Sequence, residues 1–300
     1  MSHHDDHSGK DHQFGSSESL FRKFCNKMRG KKQQGFSCQF EQVDTLEKES
    51  LVPYSMAISY RYNCLIVGNR NFNYPSVDIF DLASKTHIRS CRVHVTPYYM
   101  KIEKINHEEE YLICVHYSNI TKYKLHDIVT QDDSTWLWNK ELSYISSVAI
   151  DYHPTDSLKN VILTCKDSNI AQVSSLNGEE LPLITINNLT FSSELYCLEL
   201  LPNRNIVLFH NETFHILQPQ TDGTWSAGCS ISSIVDFVYD EVTQNTIVCC
   251  YNPREIIVFD GNGQVIQKHE ANSPMACCLN SLTGELYVAD DHDNKVKIFK

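Results

Sequence analysis

Six short apolar runs recur along the chain, and this repeat restricts the possible fold more than any other feature of the sequence. About 8–12 residues after each run comes a second segment with the pattern apolar-x-x-apolar, in which two apolar residues lie three positions apart. These pairs are Val77/Phe80, Ile120/Tyr123, Ile170/Val173, Phe214/Leu217, Ile256/Phe259 and Val296/Phe299. Successive pairs lie roughly 40–50 residues apart, which is the length of one structural unit in a repeat protein.

Each repeat contains enough short apolar segments for about four strands. The six runs begin at Leu65, Leu112, Val161, Ile206, Ile247 and Leu286, and a further apolar segment precedes each of them. A turn sequence such as Asp260-Gly261 separates the later segments, as expected for hairpins. Four antiparallel strands in about 44 residues form one propeller blade. The sequence therefore predicts an all-β fold, a six-bladed β-propeller of four-stranded antiparallel blades over residues 36–300, with helices absent or short.

The two ends of the chain are predicted to complete one blade together. The last repeat stops after its third strand at Lys300, which would leave an exposed edge. In the segment Phe36–Val43, Phe36, Cys38 and Phe40 alternate with polar residues, the pattern of a half-buried strand. We expect a strand near 36–43 to serve as the missing outer strand and to close the ring.

Residues 1–35 are predicted to form a disordered basic tail. They carry a net charge of +3, which leaves −14 on residues 36–300 out of a total of −11. Within the tail, Leu20, Phe21, Phe24 and Met28 fall on one helical face among basic residues of the segment 20–32. This segment has the pattern of a membrane-surface, nuclear-import or calmodulin-binding element, and the alternative is a solvated linker.

Cysteine usage indicates a reducing compartment. The chain has 12 cysteines, opens with a polar sequence and contains no apolar stretch of membrane-spanning length. We therefore expect free thiols and a cytoplasmic location. The adjacent pairs Cys249-Cys250 and Cys277-Cys278 would point to opposite faces of their strands, so packing is a better explanation for them than metal binding. No cofactor and no metal site is expected.

The last repeat resembles the NHL repeat, whose signature is an apolar-Tyr-Val-Ala-Asp strand, a turn with Asn, and Val-x-x-Phe. The matching residues are Tyr287, Val288, Ala289, Asp290, Asn294, Val296 and Phe299. The segment Ile256–Gly263 resembles the second half of that repeat, whereas the earlier repeats keep only the apolar spacing. The resemblance implies a six-bladed propeller whose relatives bind proteins or RNA, and whose distant relatives are metal-dependent hydrolases and lyases.

No catalytic motif supports an enzyme. The sequence lacks GxSxG, HExxH, GxGxxG and a Walker loop. In Asp290-Asp-His-Asp293, the first Asp is expected to hold a turn through backbone hydrogen bonds. The −14 charge of residues 36–300 argues against nucleic-acid binding, because it repels phosphates. The sequence favours a non-enzymatic, monomeric interaction scaffold with a basic or neutral protein or peptide partner. The alternative is a metal-dependent propeller hydrolase or lyase with its site at the channel mouth.

Loops that share one end of the predicted blades are rich in aromatic residues. These loops join the second strand to the third, or one blade to the next. Aromatic and arginine side chains are the usual anchors of protein interfaces. The predicted binding residues are Arg70, Phe72, Tyr74, Tyr98, Tyr99, His116, Tyr117, Tyr251 and Arg254. The alternative is that several of these tyrosines pack beneath their own loops.

Overall fold

The computed structural model describes residues 32–71, 74–105, 109–166, 169–184, 197–201, 206–210, 213–217, 225–230 and 233–300. In these residues the strands form six four-stranded sheets, and every paired strand is antiparallel to its neighbours. Apolar residues on both faces of the inner strands dictate this arrangement, because each inner strand buries them against the sheets on both sides, whereas the outermost strands are largely exposed.

Five of the sheets are built from consecutive strands. The first strand of the chain, β1 (Gln42–Leu46), belongs to the sixth sheet. The first sheet contains β2 (Pro53–Ser59), β3 (Cys64–Asn69), β4 (Ser76–Asp81) and β5 (His87–Arg92). The second contains β6 (Tyr99–Lys104), β7 (Glu110–His116), β8 (Asn119–Lys124) and β9 (Trp136–Glu141). The third contains β10 (Ile145–Asp151), β11 (Val161–Lys166), β12 (Asn169–Ser174) and β13 (Glu180–Ile184).

The remaining sheets follow the same plan. The fourth contains β14 (Cys197–Leu200), β15 (Ile206–His210), β16 (Thr213–Leu217) and β17 (Trp225–Ser230). The fifth contains β18 (Ile234–Asp240), β19 (Asn245–Cys250), β20 (Glu255–Phe259) and β21 (Val265–Glu270). The sixth contains β22 (Pro274–Asn280), β23 (Glu285–Asp290), β24 (Lys295–Phe299) and β1.

The first strand of each sheet contacts the first strand of the next sheet along the chain, and β22 also contacts β2. The sheets are thus four-stranded antiparallel blades in a propeller arrangement. The described helices are short, as predicted: one α-helix, α1 (Leu125–Thr130), follows β8, and a 3₁₀ turn covers Ser157–Lys159.

The apolar core lies between neighbouring sheets. Ile66 of the first sheet packs in one cluster with Leu112 of the second, and Val258 of the fifth packs with Leu286 of the sixth. The adjacent cysteines of β19 face opposite ways, since Cys249 joins the cluster against the sixth sheet and Cys250 joins the other. This orientation confirms the packing role predicted for the pair, and the nine cysteines whose side chains the structure describes are free thiols.

The N-terminal strand pairs with the C-terminal one, but not at the predicted position. Strand β1 covers Gln42–Leu46 and pairs antiparallel with β24, so the predicted span of 36–43 is wrong for residues 36–41. Phe36 and Phe40 are buried in the core between the fifth and sixth sheets. Cys38 and Phe40 have φ angles of 63° and 53°, which a strand does not allow. Phe36 and Phe40 therefore insert separately into the core from an irregular segment, and they do not form one face of a strand.

The last residues of the predicted tail, which was expected to end at residue 35, already contact the sixth sheet. Residues 1–31 lie outside the described residues, so the tail prediction stays untested there. Gln34 donates its backbone N–H to the Ser281 carbonyl at 2.8 Å, and Gln33 is buried. Chain contacts with the sheets therefore begin before Phe36.

Candidate functional site

The two ends of the propeller arrangement differ in what they display. We call top face the end at which the first strand of each sheet begins, and bottom face the opposite end. Because neighbouring strands run antiparallel, the second-to-third strand turns and the segments entering each sheet lie at the top face. The eight predicted binding residues that the structure describes belong to connections or strand ends at the top face.

Tyr98 is the buried centre of an aromatic cluster at this face. Its ring lies 4.9 Å from the ring of Tyr54, 5.2 Å from that of His116 and 4.5 Å from that of Tyr117. Antiparallel pairing of β6 with β7 places these side chains together, and the Tyr98 N–H donates to the Val115 carbonyl at 3.0 Å. We refer to Tyr54, Tyr98, His116 and Tyr117 as the tyrosine cluster.

Arg70 connects the tyrosine cluster to the sixth sheet. Its guanidinium lies over the Tyr54 ring, 5.2 Å from the ring centre, and Nη2 is 3.2 Å from Oδ1 of Asp291. Burial, together with the neighbouring Tyr117, raises the pKa of Tyr54 to about 12. Burial also lowers the pKa of His116, so the imidazole is neutral at pH 7. The cluster is therefore an uncharged aromatic surface with one fixed cation beside it.

The exposed tyrosines of the described residues all lie at the top face. Their exposed fractions are 65% for Tyr74, 58% for Tyr117, 71% for Tyr144 and 44% for Tyr251. The backbones of two of them are adjacent, because the N–H of Ile145 donates to the Tyr117 carbonyl at 2.9 Å. An aromatic ring left in water at one end of a fold provides contact area for a partner at little cost in side-chain entropy.

The structure separates the predicted binding residues into different environments. Tyr98 is buried against Tyr54 of the first sheet, and Tyr99 is half-buried against the second and third sheets, so both belong to the packing between neighbouring blades. Phe72 lies outside the described residues. Arg254 is exposed in the β19–β20 turn, where its N–H donates to the Tyr251 carbonyl at 3.2 Å. The ring contacts described for the tyrosine cluster lie between the first and second sheets, and none of them involves Tyr251 or Arg254.

Two top-face residues escaped the sequence prediction. Tyr54 lies at the start of β2, where an alternating strand pattern hid its contact with Tyr98 of the next sheet. Tyr144 lies between β9 and β10, in a connection of the same kind as those that supplied the predicted residues. Its position could have been found by applying the same rule to residues 142–144.

The first strands of the sheets, at the centre of the propeller arrangement, carry a group of charged side chains. The Lys101 ammonium on β6 donates to the Glu199 carboxylate on β14, and the Asp236 carboxylate accepts the Cys277 N–H at 2.9 Å. Burial raises the pKa of Asp236 to about 7. Burial alone would lower the pKa of Lys101, but the Glu199 carboxylate outweighs it and raises that pKa.

The carboxylates of Glu199 and Asp236 already accept hydrogen bonds from other groups of the protein. Among the described residues, no group of three His, Cys, Asp or Glu side chains is arranged to hold a metal ion. Asp290 accepts backbone N–H groups of His292 and Asp293, each at 3.1 Å, and the Lys297 ammonium at 2.6 Å. The turn role predicted for Asp290 is confirmed. The described side chains therefore give the metal-dependent alternative no ligand set at the channel or in this turn.

Comparison with known proteins supports the fold and not an activity. No protein-family model matches the chain, and no curated protein matches it. Among solved structures, it is similar to the Kuenenia stuttgartiensis hydrazine synthase, a β-propeller, with a TM-score of 0.58 and 14% sequence identity. The match covers 82% of this chain and 82% of that one. At this identity the similarity indicates a shared propeller architecture alone.

In the part of the chain that the structure describes, no helix has the length and apolar character needed to span a membrane.

Proposed function

We propose that this protein is a non-enzymatic interaction scaffold that binds a protein or peptide at its top face. The observation that carries the proposal is the placement of Tyr74, Tyr117, Tyr144 and Tyr251, the exposed tyrosines of the described residues, at one end of the fold. Scattered exposed apolar residues need no explanation, whereas exposed tyrosines that share one face indicate an interface.

The scaffold is further proposed to be a closed six-bladed ring of the NHL type. The six sheets, the contact of β22 with β2 and the pairing of β1 with β24 support closure. Tyr287, Val296 and Phe299 of the NHL-like repeat are buried in the sixth sheet, as expected for the conserved apolar positions of such a blade. A ring joined through both chain ends is rigid, and rigid loops lose little entropy on binding.

The partner is proposed to be basic or neutral, and the location cytoplasmic. A net charge of −14 on residues 36–300 opposes acidic partners and nucleic acids. A reducing compartment favours free thiols, and nine cysteines of the chain are free thiols in the structure. Binding through tyrosine rings would depend little on salt, since exposed charges contribute little to such contacts.

A capture experiment with matched variants tests the proposal. The variant Tyr117→Ala/Tyr144→Ala removes two exposed rings from top-face connections whose backbones are hydrogen-bonded, and Leu158→Ala/Leu176→Ala removes two comparably exposed apolar side chains at the bottom face. Both variants should melt within a few degrees of the wild type. Proteins captured from a lysate by the wild type, identified by mass spectrometry, should be lost with the tyrosine variant and kept with the leucine variant.

The captured partner then gives the quantitative test. Each tyrosine substitution should weaken its affinity by about 2 kcal/mol, or roughly 30-fold in Kd. Equal capture by all three proteins would place the interface elsewhere. Loss of capture with the leucine variant alone would move the interface to the bottom face.

A further inference from the structure

Arg70 shows how this protein holds an arginine side chain at its top face. Its guanidinium lies over the Tyr54 ring, with Cζ 5.2 Å from the ring centre, and its Nη2 is 3.2 Å from Oδ1 and 3.3 Å from Oδ2 of Asp291. The face of an aromatic ring attracts a cation, and a carboxylate beside it accepts the guanidinium N–H groups. One ring and one carboxylate therefore form an arginine site at this end of the fold.

Two exposed tyrosines of the top face have a ring without such a cation. Tyr74 has one, because Cζ of Arg92 lies 5.9 Å from its ring centre. Among the described residues, no Lys or Arg lies over the ring of Tyr117 or Tyr144. Both rings are more than half exposed. They can therefore accept a cation from another molecule.

Hydrogen bonds of the backbone place a carboxylate beside these two rings. Glu141 ends β9 and lies directly opposite Asn119, two residues after Tyr117. The N–H of Ile145 donates to the Tyr117 carbonyl at 2.9 Å, directly after Tyr144. Glu141 thus belongs to the same pair of hydrogen-bonded segments as the two rings.

The Glu141 side chain points to the side of the second sheet on which the tyrosine cluster lies. Successive side chains of a strand point to opposite faces. Lys140, the residue before it, pairs with Glu180 of the third sheet at 3.1 Å. Glu141 therefore points away from the third sheet and towards the first, from which Tyr54 joins the cluster.

Glu141 is exposed and has no counter-ion among the described residues. The neighbouring basic side chains are engaged elsewhere, since Lys140 and Lys166 both pair with Glu180 and Arg70 pairs with an aspartate of the sixth sheet. Burial lowers the pKa of His116, so its imidazole is neutral and does not repel a cation. The charge at this site is therefore that of one carboxylate.

The backbone of Tyr144 provides an independent observation. Its φ angle is 50°, a left-handed conformation that a bulky residue seldom adopts. The ring is 71% exposed, so burial in the core does not compensate for the strain. Strained residues of this kind cluster at binding sites, where the strain serves to position a side chain.

We propose that Tyr117, Glu141 and Tyr144 form a site for an arginine side chain of the partner, an inference that rests on the function proposed above and specifies its chemistry. The guanidinium stacks on the tyrosine rings while its N–H groups donate to the Glu141 carboxylate, in the manner of Arg70. A planar guanidinium stacks and forms paired hydrogen bonds better than the compact, strongly hydrated ammonium of lysine. The negative charge of residues 36–300 attracts such a partner.

The rings contribute more to this site than the carboxylate does. An exposed ion pair contributes little and is screened by salt, whereas stacking on a ring is less sensitive to salt. The site therefore selects arginine without making the whole interface strongly dependent on salt.

Titration with N-acetylarginine amide tests the site in the full chain, with the tyrosine rings observed by NMR. The Tyr117 signal, assigned from its loss in Tyr117→Phe, should shift at a several-fold lower concentration than with N-acetyllysine amide, which carries the same charge. The Tyr251 signal should stay in place. Glu141→Gln should weaken the arginine titration about 2- to 5-fold at about 0.05 M salt and by less at about 0.5 M.

The matched control is Glu49→Gln, which removes another exposed carboxylate of the top face and should leave the titration unchanged. Equal shifts with the arginine and lysine compounds, or an unchanged titration in Glu141→Gln, would overturn the arginine site.

The partner captured at the top face separates this inference from the proposed function. One of its arginines, replaced by lysine, should weaken binding several-fold, and adding Glu141→Gln should then have little further effect. If the variant Tyr117→Ala/Tyr144→Ala loses the partner while no arginine of the partner contributes, the interface stands and the arginine site is wrong. If that variant still captures the partner, both proposals fail.

Discussion

Asp236 in the fifth sheet accepts a hydrogen bond of 2.9 Å from the backbone N–H of Cys277 in the sixth sheet. The bond joins the first strands of two neighbouring blades beside the Lys101–Glu199 ion pair of the channel. Serines do the same at other junctions, since the Ser55 hydroxyl donates to the Pro97 carbonyl and the Ser147 hydroxyl to the Leu198 carbonyl. Polar side chains of the first strands therefore hold neighbouring blades in register.

The titration of Asp236 should make the stability of the fold depend on pH. Burial raises its pKa from 3.8 to about 7 in the folded protein. Between about pH 4 and pH 7 the folded state therefore binds more protons than the unfolded chain, and the free energy of unfolding falls as pH rises through this range. The loss should be about 1–2 kcal/mol, below the full value for such a shift, since the Asp236 side chain is only half-buried.

The substitution Asp236→Asn isolates this effect, because the amide oxygen can still accept the Cys277 N–H. Urea unfolding at pH 5 and pH 8 should show the wild type losing about 1–2 kcal/mol more than the variant. Asp44→Asn, at an exposed site of β1, should follow the wild type. If Asp236→Asn also loses as much as the wild type, the carboxyl group does not titrate in this range.

Phe36 and Phe40 should stabilise the whole propeller and not only its N-terminal segment. Both are buried between the fifth and sixth sheets, with ring centres 5.0 Å apart, and Phe40 lies 5.8 Å from Phe299. Phe36→Ala should lower the free energy of unfolding by about 3–5 kcal/mol in a single cooperative transition. Val43→Ala, at an exposed position of β1, should change it by less than about 0.5 kcal/mol. A normal midpoint for Phe36→Ala would show that this segment only covers a finished fold.

The error over residues 36–41 has a physical reason that no pattern search could detect. Alternating Phe36, Cys38 and Phe40 fit a strand, and they fit equally well a chain that inserts two aromatic rings into a gap. The two cases differ in the left-handed backbone of Cys38 and Phe40. Glycine is the usual sequence signal for that conformation, and neither position is a glycine. In contrast, the strands of the repeats were predictable, because buried side chains must recur with the period of each blade.

The site was less predictable than the fold, because exposure of a loop residue depends on neighbouring sheets. Tyr98 and Tyr117 both precede or follow strands at the top face, yet Tyr98 is buried and Tyr117 is exposed. Tyr98 is covered by Tyr54, which comes from the preceding sheet. The sequence of one repeat shows which residues lie in a loop, but it does not show which residues of the neighbouring sheet cover them.

The close approach at Gly284 should make it far less replaceable than Gly263. Both glycines have a left-handed backbone, with φ angles of 70° and 78°, so alanine is strained to a similar extent at either position. A Cβ at Gly284 would lie 2.6 Å from the Gly35 carbonyl oxygen, whereas nothing lies within 4 Å of one at Gly263. Thermal unfolding should show Gly263→Ala losing about 1 kcal/mol and Gly284→Ala losing about 2–4 kcal/mol. Equal losses would mean that the N-terminal segment moves freely away from this turn.

Removing one partner of the buried pair of Lys122 and Glu103 should destabilise the fold far more than breaking an ion pair at the surface. The Lys122 ammonium lies 2.7 Å from Oε2 of Glu103, the two side chains are 5% and 0% exposed, and Lys122 also donates to the Ser175 carbonyl at 2.8 Å. Lys122→Met leaves the Glu103 carboxylate buried without its cation, so the free energy of unfolding should fall by about 3–5 kcal/mol. The double variant Lys122→Met/Glu103→Gln removes both charges and should recover most of that loss. Lys268→Met, which breaks an exposed pair with Glu255, should cost less than about 1 kcal/mol in the same urea titration. A double variant as unstable as Lys122→Met alone would show that packing, and not the uncompensated charge, causes the loss.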